Sequence, residues 1–272
     1  NFFYKGRLQF ANGVVYEGEF SVSPANNKHG NGVLISQNGD RYEGGWKDNL
    51  QHGSGVYTFS DGSHYKGTYS GGKMHGRGEY RTATGATYDG EWQYGLKHGR
   101  GKYTWVDGDI YEGEYKQDVK HGTGTYFFND ANERYSGDWV NDQRTGQGTF
   151  QFSDGGIYSG SFLNGSLHGF GVFKYPNGAI FEGNYVDNCM HGEGTYTYAN
   201  KSIFSGTYVN DVRQGHGIFT KADGSSYSGD FADNKMNGVG VYRWPDGATF
   251  QGQFKDDHRH GRGTKTYASG ET

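Results

Sequence analysis

At 272 residues, with 50 glycines, 17% aromatics, three prolines and 21% charged residues, the chain fits neither collagen nor a disordered linker. Glycine at this density also opposes helix, each interior copy costing roughly 1 kcal/mol against alanine. The net charge of -4 and pI near 6.3 lack the basic footprint of a nucleic-acid binder, and a single cysteine, Cys189, builds no internal disulfide, which favours a reducing compartment such as the cytosol.

No signal peptide is expected, and the sequence holds no long apolar run. The chain starts without Met at Asn1 and stops at Thr272, where another Tyr-x-Gly would follow, so it reads as cut at both ends with further segments expected outside it. From the N-terminus, Gly6, Phe10 and Gly13 take the places that Gly55, Phe59 and Gly62 hold later, so residues 1–15 read as a partial repeat. Residues 16–272 then carry eleven tandem repeats in one continuous array, headed by Tyr16, Tyr42, Tyr65, Tyr88, Tyr111, Tyr135, Tyr158, Phe181, Phe204, Tyr227 and Phe250, most of them 23 residues long. The loop SVSPANN after the first head carries three extra residues and the repeat from Tyr111 carries one; both insertions belong in hairpin loops, where lengthening is mild.

Within the repeat YDGEWQYGLKHGRGKYTWVDGDI, Tyr88, Gly90 and Trp92 alternate with Asp89 and Glu91, and Gly101, Tyr103 and Trp105 alternate with Lys102 and Thr104. Period two means strand. Gln93 to Lys97 and Asp107-Gly108 read as turns, so each repeat is a β-hairpin joined to the next by a tight Asp/Asn-Gly turn, giving an antiparallel meander of about 22 strands. The expected fold is all-β, an elongated single-sheet antiparallel β-hairpin solenoid. One face collects the glycines, the heads and the aromatic four residues after each head, so rings stand beside glycine notches and stack. The other face is polar, with an acidic tint from Glu17, Glu19, Glu43, Asp89, Glu91, Glu112 and Glu114. No helix or second strand set is encoded to cover the rings, which are therefore expected to line an open trough.

The frame Y-x-G-x-W, about five residues, H-G-x-G-x-Y resembles the MORN repeat, named for membrane occupation and recognition nexus, over essentially the whole chain. The resemblance implies an antiparallel hairpin array with an aromatic-lined groove, serving as a scaffold or adaptor in cytoskeletal, ciliary radial-spoke, junctional-membrane or cell-division structures. It also implies cytoplasmic, cytoskeleton- or cilium-associated location, with motor tails or phospholipid among the ligands. Departures from the frame are Phe181, Phe204 and Phe250 at the head, Thr145, Gln214 and Asn237 in place of His, and Asn132 and Lys201 where a turn Gly belongs.

Chemistry-bearing residues are weighed against this repeat. Eight histidines (His29, His52, His75, His98, His121, His168, His191 and His260) share one register, but equivalent positions in neighbouring repeats stand about 9 to 10 Å apart, too far to share a zinc. They are expected to hydrogen-bond the turn before Gly-x-Gly, with His258 and His260 as half of a metal site shared with a second molecule as the alternative. The Gly-x-Gly motifs lack the strand-to-helix context of a phosphate loop, and no unrepeated cluster resembles a catalytic set. No cofactor and no enzymatic activity is expected.

An uncovered ring-lined face marks an interaction site. The expected function is a scaffold that takes a peptide or helix from a cytoskeletal, motor or ciliary protein, with Trp46, Tyr69, Trp92, Tyr115, Trp139, Phe162 and Tyr185 as anchors. Lys73, Arg77, Lys97, Arg100, Lys120 and Arg144 concentrate near the His-Gly turns and read as a basic rim. That rim either discourages strand pairing or meets anionic lipid or an acidic partner. No nucleic-acid partner is expected, and uncapped repeats at both ends make a homodimer through the array ends the remaining alternative.

Overall fold

The structure, a computed structural model, describes residues 3–23 and 26–272; Pro24 and Ala25 of the long first loop lie outside the described residues. Among the described residues there are twenty-three strands, no helix, and one antiparallel sheet. The strand Phe3–Gln9 pairs with Val15–Ser21, setting Gly6 opposite Gly18.

One repeat shows how the sequence dictates this. In the strand Thr87–Gln93, Tyr88, Gly90 and Trp92 are buried while Asp89 and Glu91 are exposed, as period two requires. The return strand Leu96–Thr104 places Tyr103 opposite Tyr88 and Gly101 opposite Gly90; the register then shifts, so that Glu91 faces His98 and Trp92 faces Lys97. This bulge leaves Gly99 and Arg100 unmatched on that side, with Gly99 at φ 59°. The Glu91 carboxylate closes it by accepting the Arg100 amide at 3.0 Å. Glu19, Glu114 and Asp138 accept the equivalent amides of Asn31, Thr123 and Gln147 at 2.9, 3.2 and 2.8 Å. Part of the acidic tint is therefore local bulge capping. The amide and then the hydroxyl of Thr123 hold the Glu114 carboxyl below its ordinary range.

The turns correct one expectation. Gln93 pairs with Leu96, so the turn is only Tyr94-Gly95, both at positive φ (52° and 92°), and Lys97 and His98 lie in a strand. The same two-residue turn is built from Asp48-Asn49, Asn188 with Asp187, and Asp211 with Asn210, residue types that tolerate the left-handed region. The opposite turns close by Gly62 donating to the Phe59 carbonyl at 3.0 Å. Where that glycine is replaced, Asn132 (φ 52°) and Lys201 (φ 72°) keep the left-handed conformation and the bond, Lys201 N donating to Tyr198 O at 2.9 Å.

The chain divides into two compact units, one running up to Arg134 and including Trp139–Asp142, the other comprising Tyr135–Asp138 and Gln143–Thr272. In the first, Tyr16, Tyr42, Tyr65, Tyr88 and Tyr111 are fully buried. Each meets two rings edge-on: Tyr65 lies 5.2 Å from Tyr69 and 5.4 Å from Trp92, and Tyr88 lies 5.1 Å from Trp92 and 5.3 Å from Tyr115. Such pairs add about 0.5–1.5 kcal/mol each beyond area burial. The second unit repeats the pattern, with Tyr158 5.2 Å from Phe162 and 5.3 Å from Tyr185, and Phe204 5.4 Å from Tyr208 and 4.9 Å from Phe231.

Glycine makes this column fit. The Tyr88 ring folds back over Gly90 and Gly101, so a Cβ on Gly101 would stand 2.4 Å from Tyr88 Oη, and one on Gly90 2.5 Å from the Gly101 Cα. Lying there, the Tyr88 hydroxyl donates to Glu91 O at 2.9 Å, a bond that the heads Phe181, Phe204 and Phe250 lack the hydroxyl to make.

Candidate ligand-binding face

The seven residues expected to be exposed anchors are core. Trp46 is 6% exposed, Trp92 7% and Trp139 3%, and Tyr69, Tyr115, Phe162 and Tyr185 are equally buried. Six of them are wedged between the heads of two successive repeats and Trp139 packs edge-on against Tyr111. The indoles of Trp46, Trp92 and Trp139 donate to the carbonyls of Gly32, Gly78 and Gly124 at 3.1, 3.0 and 3.0 Å. They form the floor beneath the face, not its contact surface.

The accessible rings belong to the return strand and the turn that follows. In the first unit Tyr57, Phe59, Tyr80, Tyr103, Trp105, Tyr126 and Phe128 are half-buried and form a ladder in two runs on either side of Thr82: Tyr57 to Phe59 is 4.5 Å and Phe59 to Tyr80 is 6.0 Å, then Tyr103 to Trp105 is 4.5 Å, Trp105 to Tyr126 is 5.3 Å and Tyr126 to Phe128 is 4.4 Å. In the second unit Phe152, Phe173, Tyr175, Tyr196 and Tyr198 continue in the same manner, Phe152 to Phe173 at 5.3 Å and Tyr175 to Tyr196 at 5.5 Å. Carboxylates steady some of these rings. Asp40 accepts Tyr57 Oη at 2.9 Å and Asp109 accepts Tyr126 Oη at 2.6 Å, and burial followed by the Asp40 bond pushes the Tyr57 hydroxyl up to about 12.

The expected basic rim separates into two groups. Lys97 and Lys120 lie on the ring face, Lys97 Nζ 5.0 Å from the centre of Tyr103 and Lys120 Nζ 4.7 Å from the centres of Tyr126 and Trp139. In the second unit the Arg144 guanidinium sits 5.1 Å from Phe150. Burial draws the Lys97 ammonium below its ordinary range, with Asp118 and Asp142 opposing. Arg77 and Arg100 stand opposite Glu91 and Glu114 in the strand pairing, on the polar face, while Lys73 is exposed at the start of its strand beside a cavity of about 340 Å³ that Tyr57, Phe59 and Met74 also line. The shared His-Gly spacing conceals this division, because the bulge shifts which side chains reach the ring face.

The position just before each His therefore faces the ladder and changes chemistry from repeat to repeat: Lys28, Gln51, Met74, Lys97 and Lys120 in the first unit, then Arg144, Leu167, Met190, Arg213, Met236 and Arg259 in the second. Sequence reading grouped its basic members with neighbours from the other face and passed over the rest. Variation itself was the available signal, since the heads, the aromatics four residues after them and the glycines beneath are nearly constant.

Four of the register histidines, His29, His75, His168 and His191, contact the next repeat's turn instead of the turn beside them. His29 Nδ1 is 3.7 Å from Asp48 Oδ1, His168 Nδ1 3.9 Å from Asp187 Oδ1, and His191 Nδ1 3.3 Å from Asn210 Oδ1. Gln214 keeps the contact, its Nε2 3.3 Å from Asp233 Oδ1. The second turn residue adds a staple: Asn49 N donates to Lys28 O at 3.0 Å while Asn49 Oδ1 accepts Lys28 N at 2.8 Å, and Asp118 does the same with Lys97 at 3.0 and 2.8 Å. Among the described residues no group of three or more His, Cys, Asp and Glu side chains could hold a metal ion.

Solved structures with a similar chain path include the TCP10 domain of Danio rerio CPAP in complex with a peptide of Danio rerio STIL, at 12% identity and TM-score 0.40, covering 90% of this chain and 96% of that one. The CPAP G-box domain is similar at 13% identity and TM-score 0.44, covering 71% and 99%. Likeness at this level carries no argument about function. No curated protein matches the chain. The MORN repeat profile matches eleven consecutive segments, residues 25–41, 42–64, 65–87, 88–110, 111–132, 135–157, 158–180, 181–203, 204–226, 227–249 and 250–272. Ten of these begin on the aromatic heads whose rings form the buried column, and the chain belongs to the MORN repeat family.

Proposed function

We propose that the protein is a non-enzymatic scaffold that binds an extended segment of a partner protein along the half-buried ring ladder, in the cytoplasm and at a cytoskeletal or ciliary assembly. The observation that carries this reading is the ladder itself. Tyr103, Trp105, Tyr126 and Phe128 form a continuous row of partly exposed rings, the residue types that anchor protein interfaces. Beside them the row holding Lys28, Gln51, Met74, Lys97 and Lys120 varies while the scaffold repeats, and a variable row on a constant frame is the arrangement a selective binder needs.

The test is affinity capture from ciliated-cell extract on the whole chain, with partners identified and their segments mapped by crosslinking. Replacing Tyr103 and Trp105 by Ala is expected to release the captured partner while the fold persists. Retention of every partner by the folded double variant would end this reading. Membrane attachment through a basic rim has less support, because Arg77 and Arg100 lie on one face and Lys97 and Lys120 on the other. Salt-sensitive sedimentation with anionic vesicles, lost on replacing Lys97 and Lys120 by Glu, would favour lipid over protein.

A further inference from the structure

At the turn position the ladder of the second unit changes character once. Phe152, Tyr175, Tyr198, Trp244 and Tyr267 occupy the ring position at the turn in their repeats, and Lys221 takes that position between Tyr198 and Trp244. Rings continue up to this point, Tyr196 to Tyr198 at 4.6 Å and Tyr198 to Phe219 at 5.9 Å. Where the next ring would lie, the Lys221 stem instead carries its ammonium to 3.3 Å from Tyr242 Oη. A cavity of about 550 Å³ opens there, walled by Tyr198, Phe219 and Tyr242 and floored by Phe231 and Met236.

Two cations line this cavity. The Arg213 guanidinium lies 5.2 Å from the centre of Phe204 and 5.4 Å from that of Phe231, and donates to the Asn234 carbonyl, so it is fixed in place. Lys221 is exposed and more loosely held. One lining carboxylate opposes them, Asp257, whose Oδ1 accepts Met236 N at 2.8 Å. Asp223, nearest to Lys221 in sequence, is committed to the turn by Ser225 N at 2.8 Å and Ser225 Oγ at 2.7 Å. The lining thus carries a single excess positive charge. One carboxylate balances it, whereas a phosphate dianion would overshoot and meet Asp257. In the first unit Lys97 and Lys120 have no second cation at the turn position, where Trp105 and Phe128 stand.

We propose that this cavity is a specificity pocket for one glutamate side chain of the extended protein segment. Its carboxylate would accept from Lys221 Nζ and face Arg213, and its methylenes would lie against Phe219 and Tyr242. The inference rests on the ladder-binding reading and adds the partner's chemistry: an acidic residue between apolar neighbours.

The methionine methyls supply a local readout, since the chain has three methionines and only Met236 lines this cavity, with Met74 at the other cavity and Met190 elsewhere. Methyl-labelled protein is titrated with acetyl-Phe-Glu-Phe-amide and with acetyl-Phe-Gln-Phe-amide, followed by methyl NMR. The glutamate peptide is expected to move the Met236 methyl at about tenfold lower concentration than the glutamine peptide, the worth of one charge-assisted contact. Lys221→Leu, which keeps an apolar stem and removes the charge without adding a methionine methyl, should erase that difference, and Lys221→Phe, which restores the ring, should leave Met236 unmoved by either peptide. Equal response to the two peptides in the unaltered protein, a Met74 response as large as that of Met236, or no Met236 response to the glutamate peptide would overturn the pocket. None of these touches the Tyr103 and Trp105 capture experiment, which judges ladder binding separately in the first unit.

Discussion

The buried column of heads and the half-open ladder beside it are built from the same residue types on the same face of the sheet, yet they obey different constraints. Column positions are nearly uniform: Tyr or Phe at each head, an aromatic four later, and two glycines beneath. Each ring there is boxed in by a glycine pair and by the rings of adjoining repeats. Ladder positions tolerate Thr82, Lys221 and Ser36 among the rings, and the row beside them ranges from Lys to Leu. The comparison teaches that in a one-layer sheet the aromatic residues divide their labour. One set supplies the core that a second layer would otherwise provide, and the other set is left to meet a ligand.

Tryptophan substitutions break the comparison most sharply. Trp92→Ala is expected to cost about 3–5 kcal/mol in denaturant unfolding, as emptying a core site does, whereas Trp105→Ala should cost under about 1.5 kcal/mol and act mainly on partner capture. Equal losses from the two would remove the distinction between column and ladder. Gly101→Ala probes the other side of the column, because its Cβ falls on the Tyr88 ring; destabilisation of about 3 kcal/mol is expected, in the range of core overpacking.

Alkaline unfolding follows from the heads. Burial first of all raises the hydroxyls of Tyr16, Tyr65, Tyr135, Tyr158 and Tyr227 from 10 to about 12. A raised folded value means the folded state favours the neutral phenol, so the stability contribution is complete below pH 10 and is lost as pH climbs from 10 towards 12. Unfolding free energy measured across that window should fall steadily, and ionisation of the head tyrosines, followed residue by residue by NMR, should appear only as the fold opens. Tyrosinate formation by the heads near pH 10 in the folded protein would contradict their burial.

Smaller effects test single bonds. Tyr88→Phe removes the hydroxyl bond to Glu91 O and should cost about 1 kcal/mol, while the natural heads Phe181 and Phe204 show that the ring alone sustains the column. Lys201→Gly relieves a left-handed lysine at φ 72° and should raise stability by about 1 kcal/mol, visible as a higher Tm.

Much of this architecture was legible in the chain. Strand alternation, the repeat heads and the glycine notches follow from period two and from where Cβ atoms are missing. The depth of each ring row was not, because alternation places all four aromatic rows on one face and says nothing of which lie over glycine. Trp92 and Trp105 look alike as letters; only the fit of Tyr88 over Gly90 and Gly101 drives Trp92 into the core and leaves Trp105 at the edge. The bulge was equally hidden, since it needs the register shift at Glu91 to show that Lys97 and Arg100 face opposite ways. The turn staples escaped notice because Asn49 and Asp118 read as loop residues until their side chains are seen to accept amides of the preceding repeat.

Tryptophan emission gives the most direct measurement of the division between column and ladder, as the five tryptophans split into Trp46, Trp92 and Trp139 in the column and Trp105 and Trp244 on the ladder side. In a Trp105→Phe, Trp244→Phe double variant, acrylamide should leave the remaining emission almost unquenched and blue-shifted, and the emission lost with the two ladder indoles should account for nearly all quenching of the original protein. Efficient quenching of the three column indoles in the folded double variant would place them at the surface and contradict the account.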